Sequence, residues 1–276
     1  MALSHSIMGL FMAASIHLAP LTSPLLGAEA QQPAKTVQIS VDVDADVLIH
    51  NSNNHRLGRD FKTRKLLNEI PDAQTIDRDG SLTFVLPFDV LGKPYTVMLR
   101  GKTNSSGTAT VSMTGPGFVV GVRKLRLASH IQIVAIAANG TSVSVVQAEN
   151  DPTPQLFLTA SQSDRTKPSY RFEVSAAVLS RGKIMTVELD LAAGHLNFKT
   201  TEAKKSSFTL GLRRTNPGGS RDTYSHADVS FSRHNNYTVD FGKWDGKGDI
   251  CVYEAGVRNQ GPCTQLKNEA STNPPN

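Results

Sequence analysis

The stretch Thr36-Val37-Gln38-Ile39-Ser40-Val41-Asp42-Val43 decides the fold. Val37, Ile39, Val41 and Val43 share one face, and Gln38, Ser40 and Asp42 share the other. This period of two is the pattern of a strand with one face in a core and one in water. The same alternation predicts strands at 81–88, 95–101, 108–114, 118–127, 131–137 and 141–147 in the first half. It resumes at 155–160, 170–177, 184–191, 195–200, 207–214, 227–232, 237–241 and 250–254. Only 64–70 reads as a short helix.

The turns between these runs have a chemistry of their own. Asn139-Gly140 between two apolar runs is a strong hairpin signal, because both residues tolerate a positive φ. Asp79-Gly80, Asn216-Pro217-Gly218-Gly219 and Asp245-Gly246 are turn sequences of the same kind. Many short strands at this spacing predict an all-β protein, an antiparallel β-sandwich or barrel. Pro152 and Pro154 cannot both sit inside a central strand, so the boundary between two parts falls at 150–154. The expected organisation is two tandem sandwich domains of Ig-like or jelly-roll type, 31–150 and 155–267, with a polar, disordered tail at 268–276. The pairs Tyr95/Tyr170, Gly107/Gly182, Val111/Val187 and Gly117/Gly194 suggest that the two halves are related by duplication.

The first thirty residues read as a cleaved signal peptide. An apolar run from Ile7 to Ile16 is followed by Ala28-Glu29-Ala30, a small-x-small site. The run is about half the length of roughly 20 residues needed to cross a bilayer as a helix. The expected location is therefore outside the cytoplasm: periplasmic, secreted or cell-surface, with no transmembrane helix in the mature chain. Removing residues 1–30 takes away one acid, Glu29, and no base, so 29 Lys and Arg stand against 23 Asp and Glu. That charge favours acidic partners, yet the basic residues are scattered apart from Arg56, Arg59, Lys62, Arg64 and Lys65. Only Phe61 interleaves with that cluster, so no nucleic-acid partner is expected. In an oxidising compartment Cys251 and Cys263 pair, closing a short loop near the C-terminus.

Candidate chemistry is sparse. Asp42, Asp44 and Asp46 would lie along one strand face, which does not converge oxygens on a cation. Asp245-Gly246-Lys247-Gly248-Asp249 could cup one calcium ion between Asp245 and Asp249, although the intervening lysine argues against it. No histidine pair has zinc spacing, and no nucleophile elbow or phosphate-binding glycine loop occurs. No catalytic or cofactor-binding residue is assigned. Trp244, Tyr224, Tyr237 and Tyr253 concentrate in the second half and are the available aromatics for a ligand surface.

A leader, alternating strands, few aromatics and one C-terminal cysteine pair together resemble exported bacterial β-sandwich proteins, including surface and fimbria-type subunits. No motif assigns a family. The expected function is a non-enzymatic binding or cell-surface structural component, with a protein or polysaccharide partner at a cell surface. A carbohydrate-binding module and a secreted hydrolase are the alternatives. A sugar site would need an exposed aromatic platform, and a hydrolase a cleft in which histidine and carboxylates converge.

Overall fold

The computed structural model describes residues 35–42, 45–78, 81–102, 107–127, 130–148, 154–161, 164, 166–176, 179–202, 207–230, 236–254 and 263–271. The proposed leader, the Asp79-Gly80 turn and residues 150–153 of the expected boundary lie outside them.

Strand β1 (Thr36–Asp42) alternates as its sequence requires, with Val37, Ile39 and Val41 fully buried. The chain then changes layer. β2 (Ala45–His50), β3 (Arg56–Arg59) and β4 (Leu66–Asn68) form one antiparallel ladder, while β5 (Gln74–Arg78) pairs with β6 (Ser81–Pro87), which returns to pair with β1. β7 (Pro94–Gly101) crosses back to pair with β2.

From there the chain advances by hairpins that alternate between the layers. β8 (Thr108–Gly115) and β9 (Phe118–Arg126) join β1, whereas β10 (Gln132–Ala137) and β11 (Ser142–Val146) join β7. β12 (Gln155–Ala160) and β13 (Ser169–Ala176) extend the first layer, β14 (Ile184–Asp190) and β15 (His195–Thr200) the second. β16 (Ser207–Thr215) and β17 (Arg221–Ser230) finish one sheet. β18 (Asn236–Asp240), β19 (Ile250–Glu254) and β20 (Thr264–Leu266) finish the other.

The result is a nine-stranded sheet, β17-β16-β13-β12-β9-β8-β1-β6-β5, and an eleven-stranded sheet, β20-β19-β18-β15-β14-β11-β10-β7-β2-β3-β4. Each hairpin has one apolar face, and placing successive hairpins on opposite layers lets each cover the inner face of the other. One hydrophobic cluster draws on both sheets, from Val37 and Val47 to Leu212 and Val252. Each fully buried Val, Leu or Ile there contributes about 1.5–3 kcal/mol.

The ladders do not stop at 150–154: β12 pairs with β9, and β14 pairs with β11. The sequence correspondences acquire a geometric meaning. Tyr95 and Tyr170, and likewise Val111 and Val187, lie on strands of opposite sheets. Gly117 and Gly194 each hold a positive φ, 81° and 70°, in hairpin turns of opposite sheets. The similarity is thus between crossed hairpins of alternating layers.

Three expectations need correction. Residues 64–70 are not helical: Arg64 takes φ 62° in a turn, and Leu66–Asn68 is strand β4, paired with β3. The described residues contain no α-helix, only a 3-10 turn at Glu269–Ser271. Asp42 and Asp46 do not share a strand, because the chain passes between sheets after Asp42, and Asp44 lies outside the described residues. Finally, Asn268 to Ser271 do not belong to a disordered tail, since Asn268 is buried and bonded to β17. No described helix is long and apolar enough to cross a membrane.

Candidate functional site

The two ends of the double sheet are finished differently. At one end, the segment after β20 runs along the free edge of β17. The Asn268 side-chain amide donates to the Thr223 carbonyl at 3.0 Å, and its oxygen accepts the Ser225 N–H at 3.3 Å. The Glu269 carboxylate accepts the Ala227 N–H at 3.0 Å. Residues 223, 225 and 227 are alternate positions, whose main-chain groups face away from β16. The edge that would otherwise invite another strand is therefore occupied by side chains. Tyr224 adds a tie between the sheets, its hydroxyl donating to the Leu266 carbonyl at 3.1 Å.

The other end has no such cover among the described residues. It is bounded by β5 and β4, the last strands of their sheets. All five residues of β5 are exposed. Ile76 on β5 is 37% exposed and Leu66 on β4 is 75% exposed, so each edge carries a large apolar side chain in water. Between the edges lies a cavity of about 550 Å³. Its apolar wall comes from Val47, Leu82 and Phe84, and its charged groups are Asp46, Arg59, Asp77 and Lys102.

Asp46 is the organising residue of this end. It is 3% exposed and meets three guanidinium groups: Arg64 at 2.5 Å, Arg100 at 3.4 Å and Arg59 at 3.5 Å. Arg100 also donates to the Phe61 carbonyl and lies over the Phe61 ring, 5.0 Å from its centroid. The loop from Asp60 to Lys65 is pinned at its other side by Asp60. Its carboxylate accepts from the Thr63 N–H and hydroxyl and from the Lys62 N–H, which holds its pKa below the usual carboxylate value. Three arginines around one carboxylate leave an excess of positive charge beside the cavity. Arg56, by contrast, is spent on a bidentate pair with Glu69. Most of the basic cluster seen in the sequence is thus ion-paired scaffolding. The role of Asp46 was hidden because its partners come from β3, the following loop and β7.

The sequence-selected residues fall elsewhere. Trp244 and Tyr224 are 5% and 2% exposed, 6.1 Å apart edge to face, and the Trp244 Nε1–H donates to the Gly248 carbonyl. Tyr237 is also buried, stacked on Phe198, and burial pushes its phenol pKa up to about 12. None of the three offers a platform, because each is buried in the core. Tyr253 is half-buried. Asp245 is committed to its own turn, accepting the Gly248 and Lys247 N–H groups, which keep its pKa low. Asp249 instead accepts the Asn268 N–H. The two carboxylates accept different backbone N–H groups, and no three His, Cys, Asp or Glu among the described residues gather to hold a metal ion. Cys251 on β19 and Cys263 before β20 form a disulfide.

One further grouping was not visible in sequence. Asp190, His195 and Asp240 are directly opposed across β14, β15 and β18. They line a depression of about 320 Å³ with Thr238, Lys243 and Tyr253. Asp240 is paired with Lys243 at 3.1 Å, Asp190 accepts the Ala193 N–H, and the Thr238 hydroxyl donates to Asn197. Compared with protein families, curated proteins and solved structures, the chain matches none.

Proposed function

We propose that this is an exported, non-enzymatic protein that works by binding at the open end of its double sheet, as a component of a cell surface or periplasm. The observation that carries this reading is the asymmetry of the ends. The β17 edge is occupied by Asn268 and Glu269, whereas among the described residues β5 and β4 present free edges, exposed Ile76 and Leu66, and a charged cavity. Free edges accept strands and apolar side chains seek cover, so that end is the one suited to a partner. Export rests on residues 1–30, read as a leader removed after Ala30.

Two measurements test the proposal. N-terminal sequencing of the protein recovered from an exporting host should begin at Gln31. Isotope-labelled protein titrated with extended peptides and acidic oligosaccharides should shift resonances of β4, β5 and the cavity wall. Shifts confined to other surfaces, or none with either ligand class together with a strictly monomeric protein, would overturn the binding reading.

The carbohydrate-module alternative loses its support with the burial of Trp244. A hydrolase is favoured by one observation, His195 set between Asp190 and Asp240. Against it, the lining supplies no serine, and Thr238 is committed to Asn197. Turnover of ester or glycoside substrates that disappears in His195→Ala would establish that reading.

A further inference from the structure

We infer that the occupant of the open end is a second copy of this chain, paired β5 to β5 about a two-fold axis through Ile76. The inference rests on the open-end reading and names the partner.

The sequence of β5 is self-complementary. Antiparallel pairing centred on Ile76 sets Gln74 against Arg78, Thr75 against Asp77, and Ile76 against itself. No like charges are opposed in that register. Centring the axis one residue later would place Asp77 against Asp77, a destabilising pair. The strand carries no proline and no described bulge, two of the devices that usually blunt an edge.

The geometry also gives closure. An isologous contact uses the same patch twice and stops at two copies. Further extension of the nine-stranded sheet would need the β17 edge, whose groups at Thr223, Ser225 and Ala227 are already bonded. Pairing at β5 joins two nine-stranded sheets into one and brings the open ends together. The chemistry required is only main-chain hydrogen bonding and apolar burial.

The test is the solution mass of the purified protein by light scattering from about one to several hundred micromolar, with two variants. The mass should rise from one copy to two and no further. Ile76→Lys, at an exposed position that does not threaten folding, places an ammonium opposite its own copy and should weaken association at least about tenfold. Ile76→Cys should give a covalent dimer on mild oxidation, because opposed residues of an antiparallel pair stand about 4.5–5.5 Å apart at Cα. A cysteine at exposed Val90 should not. A monomer at every concentration, a dimer indifferent to Ile76→Lys, or growth past two copies would overturn the inference. A monomer whose β4 and β5 resonances respond to a peptide or acidic oligosaccharide sinks the two-fold pairing alone. A monomer with no such response sinks the open-end reading with it.

Discussion

Asn268 and Thr223 are 45 positions apart in the chain, and the side-chain amide of one donates to the carbonyl of the other at 3.0 Å. The same Asn268 oxygen accepts from Ser225 and Ala270. A short polar residue near the C-terminus thereby closes the edge of the nine-stranded sheet. Asn268→Ala should cost about 1–3 kcal/mol in urea unfolding, the range for stranding buried polar groups. Asn268→Asp retains acceptors but loses the donor to Thr223, and should fall between the two. Light scattering on the alanine variant should also detect species larger than those of the parent, because the β17 edge is then open.

Asp46 holds the opposite end. Its carboxylate is the shared partner of Arg59, Arg64 and Arg100, so Asp46→Asn leaves three guanidinium groups facing one another without a counter-charge. We expect a loss of about 1–3 kcal/mol, below the full cost of breaking a buried pair because the arginines retain access to water. Arg64 is 55% exposed, and Arg64→Ala should cost about 0–1 kcal/mol. The order of the two losses in thermal unfolding tests whether the cluster is organised from the buried acid.

Much of this was legible beforehand, and the pattern of failure is physical. A strand such as β15 has a wetter face and a dry one, so its alternation marks it to the residue. β2 escaped notice because Ala45 to Ile49 are buried throughout, which removes the period of two. β4 and β5 escaped for the opposite reason: short, exposed edge strands have no buried face to write into sequence. The open end is made of these unreadable strands, so the candidate site was the least visible part of the chain. The aromatics failed differently. Trp244 and Tyr224 were correctly placed in the second half, but composition does not distinguish a ligand platform from a core.

Gly140 tests the hairpin logic. It sits at φ 74° after Asn139, and a Cβ built there would lie 2.2 Å from the Phe118 ring. Gly140→Ala therefore meets both a backbone penalty and a clash with a buried aromatic. The loss should be about 1–3 kcal/mol, with the near-ultraviolet signal of the aromatics changed in the folded state. Gly218→Ala serves as the control: nothing lies within 4 Å of a Cβ there and its φ is not positive, so stability should be nearly unchanged.

His50 gives the clearest pH dependence. It ends β2 with its Nε2 buried and without a hydrogen-bond partner among the described residues. Burial lowers its pKa, the Arg56 charge lowers it further, and Glu69 and Asp60 oppose the shift only in part. The folded protein thus resists protonation at a site that the unfolded chain protonates near its ordinary value of about 6.5. Above that value both states are neutral and the group adds no pH dependence. As pH falls from about 6.5 toward the depressed folded value, the unfolded state binds more protons and stability declines. Urea midpoints of the parent should fall more steeply between about pH 7 and pH 5 than those of His50→Leu, which lacks the proton site. Equal slopes across that window would mean that His50 takes up its proton in the folded state as readily as in the unfolded one.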